Sequence, residues 1–374
     1  AHHGLDVVPR PMRCIAHRIG QHLFILVPMS KRRRTFAWGR SLQRQFMSLS
    51  RLAAATGTLA LRKTLKSTAR QRAPLPEAGR WTYGVAMGAT GARRFRLYQP
   101  PGIQPGEHLP LMVMLHGCGQ DADSFAASTR MNRVALRERF LVLYPEQDRL
   151  ANAQGCWNWY DTDNGRAYGE AALILKAIDQ VCQLYPADKA KVAIVGLSAG
   201  ASMAALLVTR HPDRFKALVM HSGIAPGTAH SSLSAVAAMR GRRPAHPLAA
   251  SPADMAAAWP ALLAIHGDAD GVVAPANSRA AVHLWAHAAG ARAGAVRLLQ
   301  RGQRYPMAVT DFKCRARTVA TLVTVVRLAH AWSGGATKQP FSDAQGPDAS
   351  RMAWAFAARQ FRAVDAGPAV AAPG

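Results

Sequence analysis

The stretch Gly196-Leu197-Ser198-Ala199-Gly200 has the clearest capacity for chemistry in this sequence. A serine hydroxyl is a poor nucleophile until a base takes its proton, and that base must itself be oriented by a third group. Two glycines around the serine permit a sharp turn without side-chain clashes, which leaves the hydroxyl exposed on a strained turn. The run 191–195 before the motif reads as a buried strand and 199–210 after it as a helix. A helix N-terminus beside the serine favours negative charge developing there.

The partners should follow in the order acid, then histidine. After an apolar run at 261–265 comes His266-Gly267-Asp268-Ala269-Asp270-Gly271-Val272-Val273. Asp268 and Asp270 both lie on the loop where the acid belongs. Asp270 is preferred because it sits deeper, just before two valines that can anchor it, which leaves Asp268 to stabilise the turn. The base should come after the last strand, read at 318–328, and His330 follows directly. His283 and His287, the other histidines beyond the acid loop, fall on a helix.

A tetrahedral oxyanion needs two backbone N–H donors. Ala199 supplies one by position, and the loop His116-Gly117-Cys118-Gly119-Gln120 the other, with Cys118 N–H the choice and His116 bracing the loop. The cluster Cys156-Trp157-Asn158-Trp159-Tyr160 is unusually aromatic for a loop. It is either core or one wall of a substrate pocket, with Trp157, Asn158 and Trp159, and Trp332 further on, as the candidate contacts. Cys118 and Cys156 both fall in loops above the expected sheet. They are candidates for a disulfide, which would imply an oxidising compartment. Five cysteines without metal spacing argue against a zinc site.

These residues need elements to carry them. Strands are expected at 81–87 and 93–98 around the turn at 88–91, then at 111–115, 140–144, 191–195, 217–220, 261–265 and 320–326. Helices are expected at 170–185, 199–210 and 277–289. Strands alternating with helices predict an α/β fold, a mostly parallel, doubly wound sheet with helices on both faces. The stretch 227–253, rich in Ala, Ser, Pro and Arg, breaks that rhythm and is expected as a cap or mobile loop above the sheet.

Charge is uneven. The net charge is +26. Up to Arg80 there are 16 Lys/Arg against Asp6 and Glu77, a net of +14, including the run Lys31-Arg32-Arg33-Arg34. The expected division is a basic N-terminal extension at 1–80, disordered or partly helical, a catalytic domain at 81–362 and a flexible tail at 363–374. The extension could meet an anionic surface, and a polyanion-binding or granule-surface role for it is the alternative of another class. Nothing in it specifies a nucleic acid. No 18-residue apolar stretch suggests a transmembrane helix, and no segment makes a clean secretion signal.

The segments L-H-G-C-G-Q (115–120), C-W-N-W-Y (156–160), G-L-S-A-G (196–200), H-G-D-A-D-G-V-V (266–273) and H-A-W-S-G-G (330–335) together resemble the polyhydroxybutyrate depolymerase family of esterases, which also holds feruloyl and acetylxylan esterases. The resemblance runs from about Trp81 to Phe361. It implies the α/β-hydrolase fold, hydrolysis of carboxylic esters without metal or cofactor, and secretion. It supports Ser198, Asp270 and His330 as the triad. No Thr-rich linker or polymer-binding module follows the catalytic part, so short soluble esters or hydroxyalkanoate oligomers are the expected substrates.

Overall fold

The computed structural model describes residues 78–245 and 259–365. By internal contacts the chain divides into 1–69 and 70–374. The basic extension up to residue 77, residues 246–253 of the expected cap and residues 366–374 of the tail lie outside the described residues.

Strands β1 (Arg80–Gly88) and β2 (Gly91–Gln99) form the expected hairpin. β3 (Leu109–Leu115), β4 (Leu141–Pro145), β5 (Ala187–Leu197), β6 (Ala217–His221), β7 (Ala261–Gly267) and β11 (Arg317–Val325) are the strands of the parallel centre. β8 (Arg292–Ala293), β9 (Arg297–Leu299) and β10 (Met307–Cys314) add an antiparallel margin beside β11. The order across the sheet is β1-β2-β4-β3-β5-β6-β7-β11-β10-β8, with β9 also on β10. Every residue of β4, β6 and β7 is buried, as continuous apolar runs covered on both faces should be. β1 is mostly exposed or half-buried, with Ala86 alone buried, as suits an edge strand.

Helices α1 (Ala122–Thr129), α2 (Met131–Glu138) and α7 (Ala349–Asp365) share one apolar core with the sheet, built on Met112, Val142, Val195, Leu263, Phe125 and Phe356. α7 forms because Ala353, Phe356, Ala357 and Phe361 recur at helical spacing and all are buried. Asp348 Oδ1 accepts from the Arg351 N–H at 3.0 Å and so caps its start. α3 (Arg166–Leu184), α4 (Ala199–Arg210) and α6 (Ala276–Ala288) pack on strands through residues outside that core.

Several features depart from the sequence expectation, among them α1 and α2, which form where the sequence marks no helix. α5 (Ser232–Met239) lies inside the stretch expected as a cap or loop. It is tied down where Met239 C=O accepts from Ala274 N–H at 2.8 Å and Ala238 C=O from Asn277 Nδ2 at 2.9 Å. α7 runs three residues beyond the expected domain limit at 362, to Asp365. The margin β8–β10 has no counterpart among the expected strands.

The connections create a switch point. β4 and β5 lie on opposite sides of β3. The loops leaving the carboxyl ends of β3 and β5 therefore part in different directions and open a crevice between them, where ligands bind in open α/β sheets.

Candidate active site

Ser198 is the single residue between β5 and α4, with φ 55° and ψ −119°. A side chain at such a positive φ is strained and needs its surroundings to hold it. They are tight. A Cβ on Gly196 would stand 2.3 Å from the Gly200 carbonyl, and one on Gly200 2.2 Å from Leu115 O at the end of β3. Only glycine fits at either position. The Ser198 N–H donates to His221 C=O at 2.9 Å, which fixes the turn from the neighbouring strand.

Asp270 and His330 are brought together. Asp270 Oδ2 accepts from His330 Nδ1 at 2.8 Å, and the carboxylate is buried. Asp270 Oδ1 accepts from the Val272 and Val273 N–H groups, each at 2.9 Å, so the two valines anchor it through their backbone. Burial opposes the charge on Asp270, but hydrogen bonds from His266 and His330 outweigh it and hold the carboxyl well below the usual range. Asp268 has another task. Its Oδ1 accepts from the Arg327 N–H at 2.7 Å, which joins the acid loop to the residues just past β11.

Two further histidines belong to this constellation, and sequence reasoning missed both roles. His266 is buried, with Nε2 2.9 Å from Val273 O and 3.2 Å from Asp270 Oδ2. Its Nδ1 lies 2.5 Å from Ser278 Oγ. With Nε2–H pointing at Val273 O and Asp270, Nδ1 is left to accept from the serine hydroxyl. Its position two residues before Asp268 was the available signal. His221 is wholly buried and burial pushes it down to about 3, so it is neutral. Its Nε2 accepts from the Ser333 N–H at 3.1 Å, so Nδ1 carries the proton, 3.3 Å from Ser222 Oγ. His221 thus touches the Ser198 turn with its carbonyl and the segment after His330 with its ring. No spacing rule marks it.

In the loop after β3, Gly117 N–H donates to Gln120 Oε1 at 3.0 Å, Gly119 N–H to Gln154 O at 2.8 Å and Gln120 N–H to Gly117 O at 3.3 Å. Among the described hydrogen bonds, the Cys118 N–H and the Ala199 N–H opening α4 take no partner. His116 braces this loop. Burial pushes it down to about 4, its Nδ1–H donates to Gly117 O at 2.9 Å and its Nε2 accepts from Gln147 N–H at 3.1 Å. Cys118 and Cys156 form a disulfide that pins the loop from the far side.

The aromatic cluster is placed differently from a pocket wall. Trp157 is wholly buried, and its Nε1–H donates to His116 C=O at 3.0 Å. Asn158 is buried, with its N–H and Nδ2 donating to the Glu170 carboxylate at 2.9 and 2.6 Å. Glu170 also accepts from Gln147 Nε2 at 2.7 Å. Trp332 is wholly buried, stacked on His221 at 5.0 Å, with Nε1–H on Ser350 Oγ at 3.1 Å. These three side chains hold the loops from within and have no free polar atom for substrate. Trp159 is largely buried and meets Tyr160 edge-on at 5.6 Å. Burial, which spacing does not encode, made the difference. Among the described residues, no group of three His, Cys, Asp or Glu could hold a metal, and no helix is long and apolar enough to cross a membrane.

A mostly parallel sheet with a strained serine turn after its central strand defines an α/β-hydrolase fold. The family model described as esterase PHB depolymerase matches residues 93–325, more than half of the sequence, and the chain belongs to that family. Poly(3-hydroxyalkanoate) depolymerase C of Paucimonas lemoignei is 32% identical over 182 residues, 46% of this chain and 43% of that protein. Feruloyl esterase B of Neurospora crassa is 26% identical over 197 residues, 48% of this chain and 65% of its own. The chain thus spans about half the length of these relatives. Among solved structures, an acetyl xylan esterase from Aspergillus awamori superposes with a TM-score of 0.54 at 19% identity, covering 67% of this chain and 94% of that one, a likeness of fold.

Proposed function

We propose that this protein is a serine esterase that hydrolyses carboxylic esters through an acyl-enzyme, with Ser198, Asp270 and His330 as its triad. The observation that carries the reading is the Asp270–His330 hydrogen bond of 2.8 Å at the strand edge where Ser198 is held at φ 55°. Asp270 fixes the imidazole with its proton on Nδ1, so Nε2 is free to act as base. Ser198 Oγ attacks the ester carbonyl as His330 Nε2 takes its proton. Negative charge on the carbonyl oxygen is met by the Cys118 and Ala199 N–H groups and by the start of α4. His330 then gives the proton to the leaving alcohol. Water repeats the sequence and releases the acid.

Short hydroxyalkanoate esters or oligomers are the substrates proposed first, in line with the name of the Paucimonas relative. Feruloyl and acetylated xylan esters are the alternative, after the other relatives. The disulfide supports an extracellular or otherwise oxidising setting. The test is turnover on p-nitrophenyl acetate, hydroxybutyrate oligomers and a ferulate ester, with Ser198→Ala alongside. The variant should fold as wild type and lose about 10⁶-fold in turnover, by the subtilisin precedent. Turnover within tenfold of wild type on any of these esters would overturn the assignment.

A further inference from the structure

α2 and α7 lie side by side, and the surface between them is unbalanced in charge. A cavity of about 190 Å³ there is lined by Arg130, Arg133, Arg137, Arg304 and Arg351, with Asp348 the one acidic residue on its wall. A second depression of about 370 Å³ shares Val134, Arg137 and Arg351 with it and adds Arg359 and Arg362, with Glu138 as its acid. Together they make one groove with a row of arginines on each bank and Val134 and Trp354 between them. The two carboxylates are already engaged. Asp348 caps α7 through Arg351 N–H, while Glu138 takes Arg137 Nε at 3.0 Å and Trp354 Nε1 at 3.3 Å.

Part of the basic lining is fixed in place. Arg130 Nη2 donates to Gly334 O at 2.5 Å, and Arg304 Nη1 to Gly346 O at 2.6 Å. Each bond to a neutral carbonyl holds a guanidinium still without cancelling its charge, and leaves other N–H groups of the fork to donate. Gathering like charges costs energy that a bound anion repays. The lining is arginine alone, with no lysine, and the planar fork suits the paired oxygens of phosphate. A single carboxylate brings one charge and two oxygens, too little to span Arg130, Arg304 and Arg351 and the arginines of the neighbouring depression. Linked phosphates bring several charges and bridge several forks. The second depression continues the cavity in the direction a chain would run.

We propose that the α2–α7 groove is a binding site for a free oligophosphate chain, one phosphate group seated in the Arg130–Arg351 cavity and the next ones along Arg359 and Arg362. The proposal stands whether or not the triad assignment does.

The test uses the whole chain and sodium tripolyphosphate as the probe, with affinity read by calorimetry and by the rise in melting temperature that binding to the folded state produces. Arg137→Gln/Arg351→Gln should weaken binding at least tenfold. Arg359→Gln/Arg362→Gln, at the open end, should weaken it about threefold and serves if the first pair fails to fold. Arg292→Gln/Arg317→Gln, exposed and far along the sheet in β8 and β11, should change it less than twofold. Unliganded melting temperature and p-nitrophenyl acetate turnover should stay near wild type in all three. Equal losses in groove and control pairs would show that bulk charge does the binding and would overturn the site. So would undiminished binding in both groove pairs, which would move it to another part of the chain. Groove-dependent binding of heparin or anionic vesicles without tripolyphosphate would overturn the phosphate chemistry.

Discussion

Asp268 and Asp270 stand two residues apart on one loop and take unlike partners. Asp268 receives a backbone N–H, that of Arg327, and an amide oxygen accepts that bond nearly as well. Asp270 receives the imidazole of His330, and there an amide favours the wrong tautomer. Asp270→Asn should therefore cost about 10⁴ in kcat, by the Ser-His-Asp protease precedent, whereas Asp268→Asn should stay within about tenfold, roughly 1.4 kcal/mol of barrier. Steady-state kinetics on p-nitrophenyl acetate compares them, and a dead Asp268 variant beside an active Asp270 variant would reverse the roles. At this scale the sequence is a guide to placement where chain-order rules apply, and Asp270 and His330 meet as those rules expect. The serine turn, the acid loop and the last histidine all follow chain-order rules. It was a poor guide where burial decides. Trp157, Asn158 and Trp332 look like contacts on paper and are fastened inside, while His266 beside the acid loop and His221, which no spacing marks, take up the polar groups around the site.

Among the elements, the loop after β3 depends most on a covalent tie. Its Cys118 carries a proposed oxyanion donor on its backbone and a disulfide to Cys156 on its side chain, 38 residues on. Closing a loop of that size in the unfolded chain is worth roughly 2–4 kcal/mol. Cys182 and Cys314 are the free thiols among the described residues, and burial pushes Cys182 up to about 11. A reductant should lower the melting temperature and cut kcat several-fold, and Cys118→Ser/Cys156→Ser should reproduce both effects and then be insensitive to reductant. Reductant-sensitive activity in that double variant would place the effect elsewhere. The elements themselves were legible in proportion to their burial. The central strands are continuous apolar runs and were read within a few residues. β8 and β9 are two and three residues long and exposed throughout, so no hydrophobic period announces them. α7 carries a readable apolar stripe, yet it follows the last motif residue, where the catalytic pattern had already been satisfied.

For the whole molecule, the two neutral buried histidines set a pH dependence. His116 and His221 are held at about 4 and about 3, below the ordinary 6.5 they would show when unfolded. A depressed histidine favours the folded state fully above 6.5. As pH falls from 6.5 toward 4, the unfolded chain takes up protons that the folded one refuses, so stability falls. The two sites together should lose roughly 3–4 kcal/mol between pH 7 and pH 5. Asp270, held low, adds its own loss only at lower pH, where the unfolded carboxylate is protonated. Urea titrations at the two pH values should show a lower midpoint at pH 5. An unchanged midpoint in wild type, or an equal drop in a variant lacking both imidazoles, would contradict this account.

The clasp behind His330 has a consequence for how the molecule comes into being. Trp332 is held by Ser350, Ser333 Oγ by Pro347 O at 2.6 Å, and Gly334 N–H by Asp343 O at 2.7 Å. All three partners come later in the chain than the histidine they steady. Ser198 and Asp270 emerge from the ribosome well before them, and their own loops rest on strands that precede His330. A growing chain that has released β11 and Arg327 can thus complete the serine turn and the acid loop while the later partners of residues 332–334 are still to come. The segment after His330 is therefore steadied only once residues 343–350 have joined it, later than the sheet, so compaction and the setting of that segment are separate events in time, as they often are where distant parts of a chain must meet.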